Sequence, residues 1–463
     1  MDKSKLKCLL VVAPFMPIEL PSIGLPYIAS TLKKEGYSVK IEDLNQKTNN
    51  LKEEYMKYMD NEKNQLEFYN NHIEYFLRWI EDYIIKDGIN VVGFTVWMSN
   101  LNIIQKLSKL IKQKKHDIFI ICGGPGDPKL HTLLAKDTID IIVKGEGENT
   151  ILEIFDNLVR NKSMCNIKGT TSFNDNGEII DNCQREEIMD INKINFPDLS
   201  DLKLFDYEAK EIPLLFSRGC TWRCKFCTVF YNWDKFRTRT VDNIFEEILL
   251  RIKQYDRQEY KFQLYDCACN QDIKMLSELC DKIIGLNLPD NKISFAANAK
   301  IMPDMDYKLL EKMKKAGFKH LRFGIESGSD NVLKLMSKPF KSAEAENLLK
   351  NASDLGIDTV ITMIVGFPGE TEKDWDDTMD FLARISPYVL DIYMNFCSIT
   401  HDVARLRFFD TVDLNYYEAH HWNSKDMQNT YDIRESRLKR LDERLSKTSI
   451  KIVEPMRHYS NNI

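Results

Sequence analysis

The feature that most limits the fold is an alternation, repeated along nearly the whole chain, of short apolar runs with longer amphipathic stretches. Leu6–Ala13 is continuously apolar, Ile23–Lys34 has helical spacing and Ser38–Asp43 is again extended. The rhythm continues through strands Val91–Thr95, Asp117–Cys122 and Ile139–Val143 and helices Leu101–Lys114 and Thr150–Val159. Strands apolar on both faces belong to a parallel sheet covered by helices. Residues 1–165 are therefore expected to form a Rossmann-like, doubly wound α/β domain that binds ligands at the carboxyl ends of its strands. Gln46–Asn71, rich in Asn, Lys, Glu and Tyr, interrupts the pattern and reads as an inserted, solvent-facing helical segment.

A second series begins at Pro213. Strands at Pro213–Ser217, Phe262–Asp266, Ile293–Asn298, His320–Ile325, Thr359–Val365 and Val389–Phe396 alternate with helices at Val241–Lys253, Gln271–Ile284, Tyr307–Ala316, Ala343–Leu355 and Glu372–Ile385. This predicts a partial (β/α)6 barrel over 213–400. Residues 166–212 read as a linker with a small hairpin turning at Asn174–Gly177. Residues 401–463 read as a C-terminal helical extension with a charged helix near Arg434–Lys447.

Composition narrows the partners. Lys and Arg total 64 against 70 Asp and Glu, a net charge of −6, so no basic excess points to nucleic acid or to an anionic membrane. A small-molecule or peptide substrate fits better. The N-terminus has no cleavage-site pattern, and no apolar run reaches the ~20 residues of a membrane span. A cytoplasmic protein is expected. There the eleven cysteines stay reduced and make no disulfide framework.

Three of those cysteines stand together, in Cys220-Thr-Trp-Arg-Cys224-Lys-Phe-Cys227, directly after the first barrel strand. Thiolates bind soft metals, and four would close a zinc or iron–sulfur site, whereas three leave one iron of a [4Fe–4S] cluster open. A zinc knuckle with a histidine as fourth ligand is the competing reading, but no histidine stands between His131 and His320.

The CxxxCxxC spacing resembles the radical S-adenosylmethionine superfamily, and further segments match in order along the barrel. The resemblance implies a cluster on Cys220, Cys224 and Cys227, reductive cleavage of S-adenosylmethionine, and a 5′-deoxyadenosyl radical that takes a hydrogen atom from substrate. It implies that Phe226 packs near the adenine and that Asp266, ending Phe262-Gln-Leu-Tyr-Asp266, meets the methionine amine. Gly324-Ile-Glu326-Ser327-Gly328 is similar to the fourth-strand signature, whose polar residues reach the ribose or methionine carboxylate. Strand alternation puts Arg322, Gly324 and Glu326 on one face, where Arg322 and Glu326 would meet each other or the ligand. Gly366-Phe-Pro-Gly-Glu370 is similar to the fifth-strand end, where backbone meets the adenine.

The domain order resembles the cobalamin-binding class of this superfamily, and the resemblance implies cobalamin as a cofactor. Gly123 and Gly124, and the later Gly145, Glu146 and Gly147, sit at the class's glycine segments, and Trp97 could lie beneath the corrin or belong to the core. The Asp-x-His-x-x-Gly motif that supplies a cobalt ligand is absent. The resemblance implies a methyltransferase acting on an unactivated carbon: one S-adenosylmethionine methylates the cobalt and a second generates the substrate radical. An electron donor such as flavodoxin or ferredoxin is implied as partner. A radical rearrangement, oxidation or epimerisation without cobalamin is the alternative, and an iron–sulfur sensor is an alternative of another class. A methylthiotransferase lacks support, because only Cys8 and Cys122 precede the linker. Cys267 and Cys397, at the ends of barrel strands, are candidate hydrogen-atom donors or inert buried thiols. His420, His421 and Trp422 are read as a cover over the barrel mouth or as a surface turn.

Overall fold

The structure is a computed structural model. It describes all residues except 1, 17–18, 49–61, 125–137, 175, 290, 400–406, 409, 414–421, 446–450 and 454–463. The chain divides into two compact units, one chiefly of residues 1–213 and the other chiefly of 214–461.

The first unit is built on β1 (Lys7–Val12), β2 (Ser38–Asp43), β3 (Val91–Thr95), β4 (Phe119–Gly123), β5 (Ile141–Val143), β6 (Thr170–Phe173) and β7 (Ile179–Asp181), in the spatial order β2-β1-β3-β4-β5-β6-β7. Strands β1 to β5 run parallel. The chain leaves β1 toward β2 and then continues on the other side at β3. This reversal opens a crevice at the carboxyl ends of β1 and β3. Every residue of β3 is buried, as its unbroken apolar run requires. The helix Leu101–Lys114 buries Ile103, Ile104, Leu107 and Ile111 on one stripe.

Two expectations change here. The hairpin read as part of a linker is the edge of this sheet, because β6 pairs antiparallel with β5 and β7 with β6, and Thr170, Thr171 and Ser172 are buried. The inserted segment, where described, is not merely solvent-facing: Phe68 of the helix Glu62–Asn71 is fully buried and meets Phe15 edge-on at 5.3 Å.

The second unit contains β8 (Ile212–Leu214, shared with the boundary), β9 (Ser217–Arg218), β10 (Arg237–Thr238), β11 (Tyr260–Leu264), β12 (Ile293–Ala299), β13 (Phe318–Glu326), β14 (Asp358–Val365), β15 (Asp391–Phe396) and β16 (Lys451–Val453). Its main sheet has the order β16-β15-β14-β13-β12-β11-β8, parallel from β11 to β16, with distinct ends and therefore an open, partial barrel. Sequence reading missed β16, a three-residue strand in the polar tail. The helices begin at side-chain caps, with Asp272 accepting from the Met275 amide at 3.0 Å and Asp306 from Leu309 at 2.9 Å. Along β14, Thr359, Ile361, Met363 and Val365 are buried while Val360, Thr362 and Ile364 are half-buried, and β15 repeats the pattern. One face thus packs on helices. The other carries half-exposed or exposed Gln263, Asn298, Arg322, Thr362, Tyr393 and Asn395.

Candidate functional site

The loop after β9 is shaped by Gly219, whose φ of +83° suits glycine and where a Cβ would run into the Lys235 carbonyl. Three elements then fix the cysteines that follow. The Gln271 side chain donates to the Gly219 carbonyl at 3.1 Å and accepts from the Thr221 amide at 2.9 Å. The Lys225 amide donates to the Met336 carbonyl at 3.0 Å. Arg407 donates to the carbonyls of Cys224 at 3.2 Å and Lys225 at 2.9 Å, with its guanidinium 4.1 Å from the Phe230 ring centre.

Within the loop the Cys227 amide closes a turn on the Cys224 carbonyl at 3.1 Å, and the Trp222 amide points at Cys220 Sγ at 3.4 Å. The Cys220, Cys224 and Cys227 thiols lie in one another's field, and burial pushes Cys224 and Cys227 up while Lys338 pulls both down. Among the described residues, no three His, Cys, Asp or Glu side chains close around a point as one metal ion would demand. A multi-iron cluster needs its thiolates spread over its corners, and three soft donors on one anchored loop fit that group. Cys267 lies near Cys220 and Cys227, half-buried and pushed up to about 12 by burial.

Glu326 ends β13 at a register shift beside Gly324, with φ of +76°, a strained value for a glutamate. Gly324 permits this, since a Cβ there would stand 2.6 Å from Glu326 Oε1. The carboxylate is 3.4 Å from Lys338 Nζ and accepts from Thr362 Oγ1 at 3.3 Å, and burial raises its pKa. Lys338 also donates to the Gly324 carbonyl at 2.7 Å and stands 5.6 Å from the Phe226 ring centre and 5.5 Å from that of Trp222. Phe226 meets Phe367 edge-on at 6.4 Å. A buried acid, a buried base and an aromatic ring thus gather beside the cysteine loop.

Several expected site residues have other partners. Arg322 is exposed, 5.0 Å from the Tyr393 ring centre, and the acid paired with Lys338 is Glu326, so the expected Arg322–Glu326 pair does not form. The register shift breaks the alternation on which that pairing depended. Asp266 is 1% exposed and accepts from the Phe216 amide at 2.9 Å and Ser217 Oγ at 2.5 Å. It braces the strand leading into the cysteine loop. Ser327 is fully buried and bonds Thr378 Oγ1 at 3.1 Å. Gly366 lies against the Arg434 stem, which occupies the place of its missing Cβ, rather than presenting an open face for adenine. Cys397 is 1% exposed, its thiol pushed up to about 12 by burial, and its carbonyl accepts from Trp422 Nε1 at 2.7 Å. Trp422 is itself fully buried and so is no surface turn; His420 and His421 lie outside the described residues. Lys300, Lys338 and Arg407 were missed. For Lys300 a signal existed, because it directly follows β12 at the carboxyl end, where such folds place chemistry.

In the first unit, Trp97 follows β3 and is 43% exposed, while its amide donates to Asn100 Oδ1 at 2.8 Å and fully buried Asn100 donates to the Thr95 carbonyl at 3.1 Å. The backbone is pinned and the ring is presented. Gly123 ends β4, and a Cβ on Gly124 would stand 2.6 Å from the Val96 carbonyl oxygen, so glycine lets two strand ends approach. Gly145 has φ of +69° with no described atom within 4 Å of where a Cβ would stand, and Gly147 opens the helix Gly147–Arg160. Glu146 instead accepts from the Ile188 amide at 2.6 Å, which ties it to the chain beyond the hairpin. An exposed aromatic beside glycine-lined strand ends fits a large, flat corrin.

Residues 214–382, which carry the three thiols on their braced loop, match the Radical SAM superfamily model, so this part of the chain is a radical SAM domain. A second model, the B12 binding domain, matches residues 16–155, so the chain carries both domains. The chain is 27% identical to an uncharacterized methyltransferase of Pyrococcus horikoshii, over 79% of this chain and 73% of that protein. It is 25% identical to the anaerobic magnesium-protoporphyrin IX monomethyl ester cyclase of Rubrivivax gelatinosus, over 65% of this chain and 57% of that one. With the cytidylyl-2-hydroxyethylphosphonate methyltransferase of Streptomyces wedmorensis it shares 27%, over 78% and 72%. The solved radical S-adenosylmethionine methyltransferase TsrM of Kitasatospora setae, with cobalamin and a [4Fe–4S] cluster bound, superimposes with a TM-score of 0.66 over 86% of this chain and 73% of that one. At 15% identity, that similarity establishes fold.

Proposed function

We propose that this chain is a cobalamin-dependent radical S-adenosylmethionine methyltransferase acting on a small molecule or peptide. The observation that carries the reading is the pairing of strained Glu326 with Lys338 beside the loop of Cys220, Cys224 and Cys227. The three thiolates would hold the cluster, Lys338 and Glu326 would receive the carboxylate and amine of the methionine moiety, and the Phe226 ring would pack against the nucleoside. Trp97 with Gly123, Gly124, Gly145 and Gly147 would line a corrin. When bound, the cluster and S-adenosylmethionine supply a 5′-deoxyadenosyl radical and cobalamin supplies a methyl carrier.

This chain's own part is orientation. Lys338 offers a cation to an incoming carboxylate, Glu326 an anion to an ammonium, and burial strengthens both contacts by excluding water. The half-exposed face of Gln263, Asn298, Arg322, Thr362, Tyr393 and Asn395 is polar enough for a polar substrate. Reduction requires a one-electron donor of the flavodoxin or ferredoxin type. The eleven cysteines are all free thiols, in keeping with a reducing cytoplasm, and among the described residues no helix is long and apolar enough to cross a membrane.

Anaerobic reconstitution with iron and sulfide, then dithionite and S-adenosylmethionine, tests the reading. We expect 5′-deoxyadenosine and retention of cobalamin through gel filtration. Absence of 5′-deoxyadenosine from cluster-loaded protein supports a sensor instead; 5′-deoxyadenosine from protein that rejects cobalamin supports the non-methylating alternative.

A further inference from the structure

Lys300 is 6% exposed at the end of β12, and its surroundings are unusual for a buried cation. Its backbone is pinned twice by fully buried Asn270, which accepts from the Lys300 amide at 2.9 Å and donates to the Lys300 carbonyl at 2.8 Å. Its ammonium donates to Thr221 Oγ1 at 2.7 Å and Gln271 Oε1 at 2.6 Å and stands 4.8 Å from the Trp222 ring centre. These described partners are neutral oxygens and a ring. Burying a cation among neutral groups is costly unless an anion is nearby. The neighbouring anions in prospect are the thiolates: the ammonium is anchored on Thr221 and beside Trp222, the two residues that directly follow Cys220 in the cysteine loop, and although burial lowers its pKa, the thiols of Cys220, Cys224 and Cys267 act in the opposite sense. Lys338, near Trp222 as well, differs because Glu326 offsets its charge at 3.4 Å.

We propose that Lys300 is a positioning residue of the cysteine loop whose positive charge, paired with no carboxylate among its described partners, stabilises the reduced state of the cluster. The proposal rests on the reading that Cys220, Cys224 and Cys227 hold a [4Fe–4S] cluster. Reduction adds one electron to the cluster and transfers nothing to Lys300, which acts through its field and through its hold on Thr221. Hydrogen bonds and charge at the sulfurs are established determinants of cluster potential, and a nearby cation favours the form carrying one more negative charge.

The test is an EPR-monitored redox titration of the reconstituted full-length protein, with iron content measured alongside, for wild type and for Lys300→Met, Lys300→Gln and Lys300→Arg. Met and Gln are expected to shift the midpoint to more negative potential, about a tenfold change in the reduced-to-oxidised ratio, or about 59 mV for a one-electron couple. Arg is expected to stay near wild type. Loss of iron from Met and Gln with retention in Arg equally supports a required cation. The proposal is overturned if Met or Gln titrates with wild type, if Arg shifts as far as Gln, or if Arg also fails to hold iron. Wild-type protein that takes up no four-iron cluster overturns the cluster assignment, and this proposal with it; a normal wild-type cluster with unmoved variants overturns this proposal alone.

Discussion

The Glu326 carboxylate faces the Lys338 ammonium at 3.4 Å, held there by a backbone with φ of +76° and by the missing side chain of Gly324. On the proposed reading, this strained, buried ion pair beside the cysteine loop would receive the zwitterionic methionine moiety. Glu326→Gln keeps the shape and removes the charge. A charge-assisted hydrogen bond contributes about 1.5–3 kcal/mol, so S-adenosylmethionine binding should weaken roughly tenfold to a hundredfold. The perturbation of the cluster EPR signal by added S-adenosylmethionine measures this; an unchanged titration removes Glu326 from the site.

Asp266 gives a pH dependence with a definite sign. Burial pushes its carboxyl from 3.8 up to about 6, so between those values the folded chain binds more protons than the unfolded one. Its contribution to stability is full below 3.8, falls as pH rises through that window and is flat above it. Urea midpoints measured across this range should fall more steeply with pH in wild type than in Asp266→Asn, the remaining slope coming from other buried acids such as Asp43. Parallel curves would contradict the assignment.

Cys267 lies close enough to the cysteine loop to raise the question of a fourth ligand. Cys267→Ala should retain four irons per chain after reconstitution, whereas Cys224→Ala should lose the cluster. Iron lost equally from both variants makes Cys267 a ligand and closes the coordination position that S-adenosylmethionine requires.

Trp97 presents an exposed ring from a pinned backbone. Covering such a ring with a corrin contributes on the order of 1.5 kcal/mol or more. Trp97→Ala should therefore retain cobalamin about tenfold less tightly, read by absorbance after gel filtration, with the melting temperature little changed.

Arg437 is fully buried against Glu370, its guanidinium 2.8 Å from the carboxylate that also accepts from the Gly366 amide at 2.7 Å. Arg437→Ala leaves that acid unpaired and should cost about 3–5 kcal/mol of unfolding free energy at neutral pH. Because burial already raises Glu370 to about 7, the loss should shrink in acid, where the carboxyl is neutral. Chemical denaturation at two pH values checks both statements.

Much was determined by sequence alone. The strand and helix rhythm is local, set by apolar spacing and by caps such as Asp306, and Leu101–Lys114, Tyr307–Ala316 and Glu372–Ile385 form at the expected bounds. The cysteine loop was equally legible, because three thiols within eight residues are held together by chain connectivity. Tertiary structure decided which polar groups remain free to act. Asp266, Ser327, Glu146 and Gly366 look like ligand contacts along the chain but are occupied by Phe216, Thr378, Ile188 and Arg434. The partners of Lys300 and Glu326 follow from strand register, including a one-residue shift at Gly324 that reverses which side a residue faces. Burial and pairing belong to contacts between residues distant in sequence, and no local pattern of apolar and polar residues contains them.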